Sequence, residues 1–227
     1  MAKILCIFIS ILVFFCSCTR IQNPSKYELA EGRYKLKMEG KLYNVYLQNL
    51  EDSLILYKLP GKIYTYIPKE AANYYGVKQQ LTKSSLDVDV LTALFKIRPP
   101  VKDVLPIQFN TNFNGNVYVG RRKDVYHINY KKNDLGVFGR QINHFGFSAG
   151  GFIGMGNTAM NASTTANGIA ADYDGLIVQK GIAGILAINK LTAGVSLGFD
   201  NLLDPNKRYW IYQNKPWFGL VLGLNLN

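Results

Sequence analysis

Two stretches near the end of the chain decide the predicted fold: LTAGVSLGFD at residues 191–200 and FGLVLGLNLN at residues 218–227. Successive side chains of a strand point to opposite faces, so every second residue shares a face. In the first stretch the apolar face consists of Leu191, Ala193, Val195, Leu197 and Phe199. In the second, leucine occupies every second position from 220 to 226. Both predict strands with one apolar wall and one small or polar wall, about as long as a tilted strand that crosses a bilayer.

The composition of the whole chain agrees with a strand-rich protein. Its 227 residues include 15 Tyr, 12 Phe and 21 Gly against 8 Pro, a balance that favours pleated surfaces and tight corners. A hydrophobic fraction of 48% is typical neither of a disordered chain nor of a helical membrane protein. The formal net charge of +11 favours anionic partners, namely lipid headgroups, lipopolysaccharide phosphates or nucleic acid.

The N-terminus predicts export. A short basic start precedes an apolar run at residues 4–15, which is too short to span a bilayer as a helix and indicates a signal peptide over residues 1–18. Its end, Phe15-Cys16-Ser17-Cys18, resembles the lipobox of Gram-negative lipoproteins, which implies that Cys18 carries lipid. The alternative is ordinary signal cleavage. For an exported chain, nucleic acid is not an expected partner.

Strand patterns divide the rest of the chain into two parts. Residues 19–85 contain a polar tether and then short strands separated by turn dipeptides, which predict a small antiparallel meander. Longer strands follow from residue 86 to residue 227, interrupted by a charged turn predicted at residues 121–124. Seven strands are predicted there, and residues 63–67 supply an eighth because a closed barrel of this kind has an even number. The predicted fold class is all-β, an antiparallel meander leading into a small, about eight-stranded, up-and-down membrane β-barrel that begins at residue 86 or near residue 62.

The alternating pattern and the lipobox-like leader together resemble small outer-membrane β-barrel proteins and lipoproteins of Gram-negative bacteria. This resemblance implies an outer-membrane location, a structural or interaction role at the cell envelope, and contact with outer-membrane lipid, lipopolysaccharide or envelope proteins. The alternative is a soluble, lipid-anchored periplasmic β-domain that binds a ligand or partner. That alternative predicts that the strand faces bearing Ile107, Leu197 and Leu222 pack against one another.

The sequence offers one weak catalytic pattern. His144 and Ser148 share a predicted polar face, which resembles the outer-membrane lipid A deacylases, and a third group would be Asp174 or Asp87. The spacing selects neither carboxylate, so we expect no enzyme activity and keep a lipid hydrolase as the third hypothesis. Two separated histidines give no metal-ligand spacing, and no cofactor is expected.

Five basic residues are the predicted headgroup contacts: Arg121, Arg122, Lys123, Lys131 and Lys132. The predicted strand boundaries put all five at strand ends. Cations in that position lie at the height of lipid phosphates and attract them.

Overall fold

The computed structural model of the chain describes residues 29–38, 40–50, 53–61, 64–71, 79–188 and 191–225. These residues form one antiparallel, all-β sheet with a single 3₁₀ turn at Pro205–Arg208. The strands are β1 (Gly32–Met38), β2 (Lys41–Leu50), β3 (Ser53–Lys58), β4 (Tyr64–Pro68), β5 (Glu70–Ala71), β6 (Gln79–Arg98), β7 (Gln108–Asn110), β8 (Asn114–Lys132), β9 (Phe138–Met160), β10 (Tyr173–Ile188), β11 (Leu191–Leu202) and β12 (Pro216–Asn225). Within these ranges no helix has the length and apolar character needed to cross a membrane.

Six long strands form a ring. Strands β6, β8, β9, β10, β11 and β12 pair in that order, and β12 pairs back to β6, with Phe218 opposite Ile97 and Asn225 opposite Asp89. The ring has two ends. Strands β1–β5 lie at one end, which we call the meander end. The long connections at residues 161–172 and 203–215 lie at the opposite end, which we call the loop end.

The predicted count of eight barrel strands is wrong, and the ring has six. The charged residues Arg121–Asp124 do not turn the chain, because they lie in the middle of the 19-residue strand β8 and pair with β9 throughout. Alternation continues through the charges, since Arg122 and Asp124 both point inward and bond to each other. Two predicted strands are therefore one. Strand β4 pairs with β3 and is not a member of the ring.

The meander joins the ring on two sides. Strand β1 pairs with the first residues of β6, with Lys35 opposite Thr82. Strand β5 pairs with the start of β9, with Glu70 opposite Gly139. Strand β6 begins at Gln79, before residue 86, where the longer strands were predicted to begin. Because one strand serves both parts, the meander and the ring belong to a single sheet.

Each part has its own interior. The meander core is apolar and includes residues from β6 and β8: Tyr34, Leu36, Val45, Leu47, Leu54, Leu56, Ile67, Leu81, Tyr126 and Ile128. The ring interior holds a smaller apolar cluster, namely Leu91, Tyr118, Phe152, Ala183, Ile185 and Trp217. A third cluster closes the loop end, where Trp210 and Tyr212 pack on Met160, Ile177 and Leu202.

The ring is narrow enough to require glycine on its inner wall. A Cβ atom at Gly150 would overlap the carbonyl oxygen of Val119, and one at Gly181 would overlap the carbonyl oxygen of Leu197. Neighbouring strands of a tightly curved sheet approach each other closely on the inside, so these positions tolerate no side chain. The glycine-rich segment of β9 follows from this crowding.

Candidate functional site

The polarity of the ring is reversed relative to that of a soluble domain. Along β8, Asn116 and Arg122 are 4% and 3% exposed, whereas Val117 and Val119 between them are 53% and 50% exposed. Polar side chains are ordinarily at the surface, and buried ones need partners. The strand therefore turns its polar face inward and its apolar face outward.

The same reversal extends around the ring. The buried polar side chains include Asp87, Asp89, Lys96, Arg98, Asn114, Asp124, His144, Ser148, Thr158, Gln179, Ser196 and Asp200. The exposed apolar side chains include Leu86, Leu94, Phe145, Phe147, Ile153, Met155, Leu176, Ile182, Leu186, Ile188, Val195 and Phe218, and we call them the apolar belt. Exposed apolar side chains in this number are typical of a surface that contacts lipid or another protein.

At the meander end the polarity returns to the usual arrangement. Strand β1 buries Tyr34 and Leu36 and exposes Arg33, Lys35 and Lys37. Strand β8 buries charged residues along the ring and apolar residues where it packs on the meander. Single strands thus change polarity along their length, and the change marks a boundary between the ring and the meander.

A charged cluster lies inside the ring at this boundary. Asp124 Oδ1 accepts a hydrogen bond of 2.7 Å from Arg122 Nε and lies 2.7 Å from His144 Nε2. Arg122 Nη1 is 4.0 Å from Asp87 Oδ1. Gly146 makes room for the cluster, because a Cβ atom there would lie 2.7 Å from Arg122 Nη2. Buried charges are tolerated when paired in this way, and their cost is high when a partner is lost.

A second charged cluster is centred on Asp200, near the loop end. This carboxylate accepts from Arg98 Nη2 at 2.6 Å, Lys96 Nζ at 3.2 Å and Trp217 Nε1 at 2.7 Å. Arg98 also donates to Thr158 Oγ1 at 3.4 Å. Asp200 belongs to the small and polar face of the stretch at residues 191–200, so its inward direction follows from alternation, but its partners do not.

The loop at residues 203–215 covers this second cluster. Its Trp210 and Tyr212 rings lie 5.3 Å and 5.1 Å from Arg98 Cζ, within the range of cation–π attraction. The backbone N–H of Asn214 donates to the carbonyl of Asp200. Side chains therefore fill the ring at its loop end.

The structure does not bring the two weak catalytic candidates together. Both His144 and Ser148 point into the ring, but they lie four positions apart on one face of β9, about 13 Å along an extended strand. Ser148 Oγ is 2.8 Å from Tyr118 Oη, and His144 hydrogen-bonds to Asp124. The sequence does not identify Asp124 as the partner of His144, because Asp124 lies on the neighbouring strand β8.

The five predicted headgroup contacts fall into three groups. Arg121 and Lys123 are exposed on the outer wall of the ring. Lys131 and Lys132 lie at the end of β8 beside the meander. The assignment of Arg122 is wrong, because its side chain is buried inside the ring and bonded to Asp124. Alternation explains the difference, since Arg122 has the parity of inward-facing residues of β8.

Two further sequence predictions concern lipid and metal. Cys18, the predicted lipidation site, lies outside the described residues. Across the described ranges, no group of three or more His, Cys, Asp or Glu side chains is arranged to hold a metal ion.

The chain matches no known protein-family model, no curated protein and no solved structure.

Proposed function

We propose that the protein is an exported outer-membrane β-barrel whose six-stranded ring is embedded in the bilayer and whose role at the cell envelope is structural or interactive. The observation that carries this proposal is the reversed polarity of the ring, with paired charges inside and the apolar belt outside. In water such an arrangement would expose a large apolar surface and bury charges at a cost. In a bilayer the outer wall meets acyl chains, and a closed ring leaves no backbone edge unpaired.

Strand length supports the same arrangement. Strands β8 and β9 have 19 and 23 residues, whereas about 9–11 tilted residues cross the apolar part of a bilayer. The excess lies at the meander end, where most outward residues of the two strands are polar, among them His127, Asn129, Gln141 and Asn143. We infer that this end projects into water and carries the meander, whose core is apolar in the ordinary way.

Lipid headgroups are the proposed partners at the edge of the belt. Arg121 is directly opposite Leu86 of β6, and Lys123 is directly opposite Phe147 of β9, so both cations adjoin exposed apolar residues. Long basic side chains at such a place can extend toward phosphates while their stems contact acyl chains. Anionic lipid or lipopolysaccharide would provide these phosphates.

The filled interior favours a structural or interaction role over transport. Buried charge clusters and the capping loop occupy the space that an open pore would need, and the inner-wall glycines show how narrow that space is. A lipid hydrolase would need His144 and Ser148 in contact, and their separation along β9 speaks against it.

The second candidate, a lipid-anchored periplasmic domain, is favoured by the meander, which has an apolar core and a basic exterior. It requires the apolar strand faces to pack against one another. Ile107, which should be in that core, is 62% exposed. The membrane-embedded ring therefore explains more of the molecule.

The experiment that separates the two candidates removes the predicted lipid anchor. Residues 1–18 are replaced by a cleavable signal peptide without a lipobox, and the membrane fraction is washed with carbonate and run on a gel with and without heating. We expect a protein that resists the wash and migrates differently when unheated. Release by the wash, with no change in mobility, would show that only the lipid held the protein and would refute the embedded ring.

A further inference from the structure

A basic groove opens where β1 separates from β6. Its volume is about 720 Å³, and its walls include Arg33, Lys35 and Lys83. The described pairing between the two strands runs from Lys37 to Lys35 of β1 and from Gln80 to Thr82 of β6. Toward the N-terminus of β1 the strands diverge, and the wedge between them forms the groove.

The cationic groups of the groove are available to a ligand. Among the residues that the structure describes, no carboxylate lies within salt-bridge distance of Arg33, Lys35 or Lys83. The described residues that line the groove include no acidic one. Lys83 Nζ lies 5.6 Å from the centroid of the Tyr34 ring, which holds the ammonium group toward the wedge. Three cations that have no carboxylate partner within the described ranges form a site that attracts an anion.

The neutral lining of the groove adds a second kind of contact. Leu59 and Pro60 form part of its wall, and Asn44, Thr82 and Ser84 supply hydrogen-bonding groups. A ligand with an anionic headgroup and an apolar portion fits both kinds of lining better than a small inorganic ion does.

The position of the groove points to the same ligand. On the outer face of β6, polar Thr82 and Ser84 are followed by Leu86, which is 63% exposed and belongs to the apolar belt. The groove therefore lies directly beside the edge of the belt. A lipid whose acyl chains contact the belt near Leu86 would have its phosphate at the height of the cations.

We propose that this groove binds the phosphate of an anionic phospholipid from the leaflet nearest the meander. The inference rests on the proposed membrane function for the position of the leaflet, while the groove itself is a property of the described residues. The proposed contacts are Arg33 and Lys35 on the outer side of the wedge and Lys83 on its inner side.

The test measures equilibrium binding of short-chain dihexanoyl phosphatidylglycerol, below the concentration at which it forms micelles, to the purified full-length protein by isothermal titration calorimetry. Because the lipid is monomeric, the measurement does not depend on insertion of the protein into a bilayer. Arg33→Gln, Lys35→Gln and Lys83→Gln are combined in one variant. Each cation near a lipid phosphate contributes about fivefold to binding, so we expect the combined variant to bind at least about tenfold more weakly.

A matched control removes three charges at the loop end through Lys102→Gln, Lys207→Gln and Lys215→Gln. All three lysines are exposed and distant from the groove, so we expect unchanged binding. The heat-dependent gel mobility of both variants checks that the fold is retained, and the exposed Lys35→Gln substitution alone should weaken binding without affecting the fold.

Four results would overturn the proposal: no binding of phosphatidylglycerol, equal binding of phosphatidylcholine, equal binding of inorganic phosphate, or tighter binding of an oligoglutamate peptide. The third would indicate a free anion, and the fourth a protein partner. Failure of the carbonate and heating test with intact phosphatidylglycerol binding would refute the embedded ring while supporting the groove. A protein that passes the carbonate and heating test but does not bind phosphatidylglycerol would refute the proposed phosphate site and leave the embedded ring standing.

Discussion

Removal of the Asp200 carboxylate is expected to destabilise the ring more than any surface substitution. The side chain is fully buried and is shared by Lys96, Arg98 and the indole N–H of Trp217. In Asp200→Ala both cations lose their carboxylate in an interior that cannot hydrate them, which costs about 3–5 kcal/mol. The unpaired indole N–H adds about 1 kcal/mol. We therefore expect a loss of about 4–6 kcal/mol in the free energy of unfolding.

The chain contains its own reporter for this measurement. Its 2 tryptophans, Trp210 and Trp217, both lie beside the Asp200 cluster, so tryptophan fluorescence follows this region during urea unfolding in detergent micelles. Asp174→Asn on the exposed face of β10 is the matched control and should change stability by less than about 0.5 kcal/mol.

A compensated variant tests the physical reason. Replacing the whole cluster by apolar groups, with Lys96→Met, Arg98→Met and Asp200→Leu together, leaves no buried charge at this site and should recover most of the stability, since such replacements are often neutral. A loss below about 1 kcal/mol for Asp200→Ala would refute the inferred role of the buried ion pairs. If the compensated variant is as unstable as Asp200→Ala, the loss of unfolding free energy comes from altered packing and not from unpaired charge.

Three further predictions concern the outer wall, the inner wall and the meander. Ile153→Arg in the apolar belt should cost about 2–4 kcal/mol in a bilayer, measured by unfolding from vesicles, whereas Leu135→Arg in an exposed turn should cost almost nothing; equal effects would contradict a lipid-facing belt. Gly150→Ala should destabilise the ring by about 1–3 kcal/mol through overpacking, and Gly184→Ala, where a Cβ atom meets open space, should not; a neutral Gly150→Ala would refute the crowding of the inner wall. Burial, and then the charge of Asp124, raises the pKa of Tyr34 from 10.0 to about 12, so the folded state favours the neutral phenol. That stability is complete below pH 10 and declines as the pH rises from 10 to 12. Burial also raises the pKa of Tyr126, so Tyr34→Phe should reduce this dependence in alkaline unfolding experiments by the share of one tyrosine; an unchanged dependence would exclude Tyr34 as a source.

Local alternation predicted much of the ring correctly. The stretch at residues 191–200 lies within β11, and its two predicted faces are separated as expected, with Val195 and Phe199 exposed and Ser196 and Asp200 buried. These predictions succeed because alternation depends only on a residue's position within its own strand. Boundaries were less accurate, since the charged segment at residues 121–124 has the composition of a turn and the conformation of a strand.

Contacts between side chains that are distant in the sequence could not be predicted from alternation. Lys96 and Asp200 are 104 residues apart, and His144 finds Asp124 on the neighbouring strand. Which side chains meet across a ring depends on strand order and register, and these are set by many contacts at once. The two weak catalytic candidates, His144 and Ser148, illustrate this, because they share a face of β9 but each contacts a residue of β8 instead of the other.

The sequence by itself determined that the chain forms two-faced strands, since hydrophobic period and glycine content are local properties. Only the tertiary structure decided that six strands form the ring, that Arg122 points inward, and that the meander continues the same sheet through β6. The physical reason is that a strand has two edges and two faces, and the sequence specifies the faces. Partners at the edges are chosen by the folded sheet as a whole.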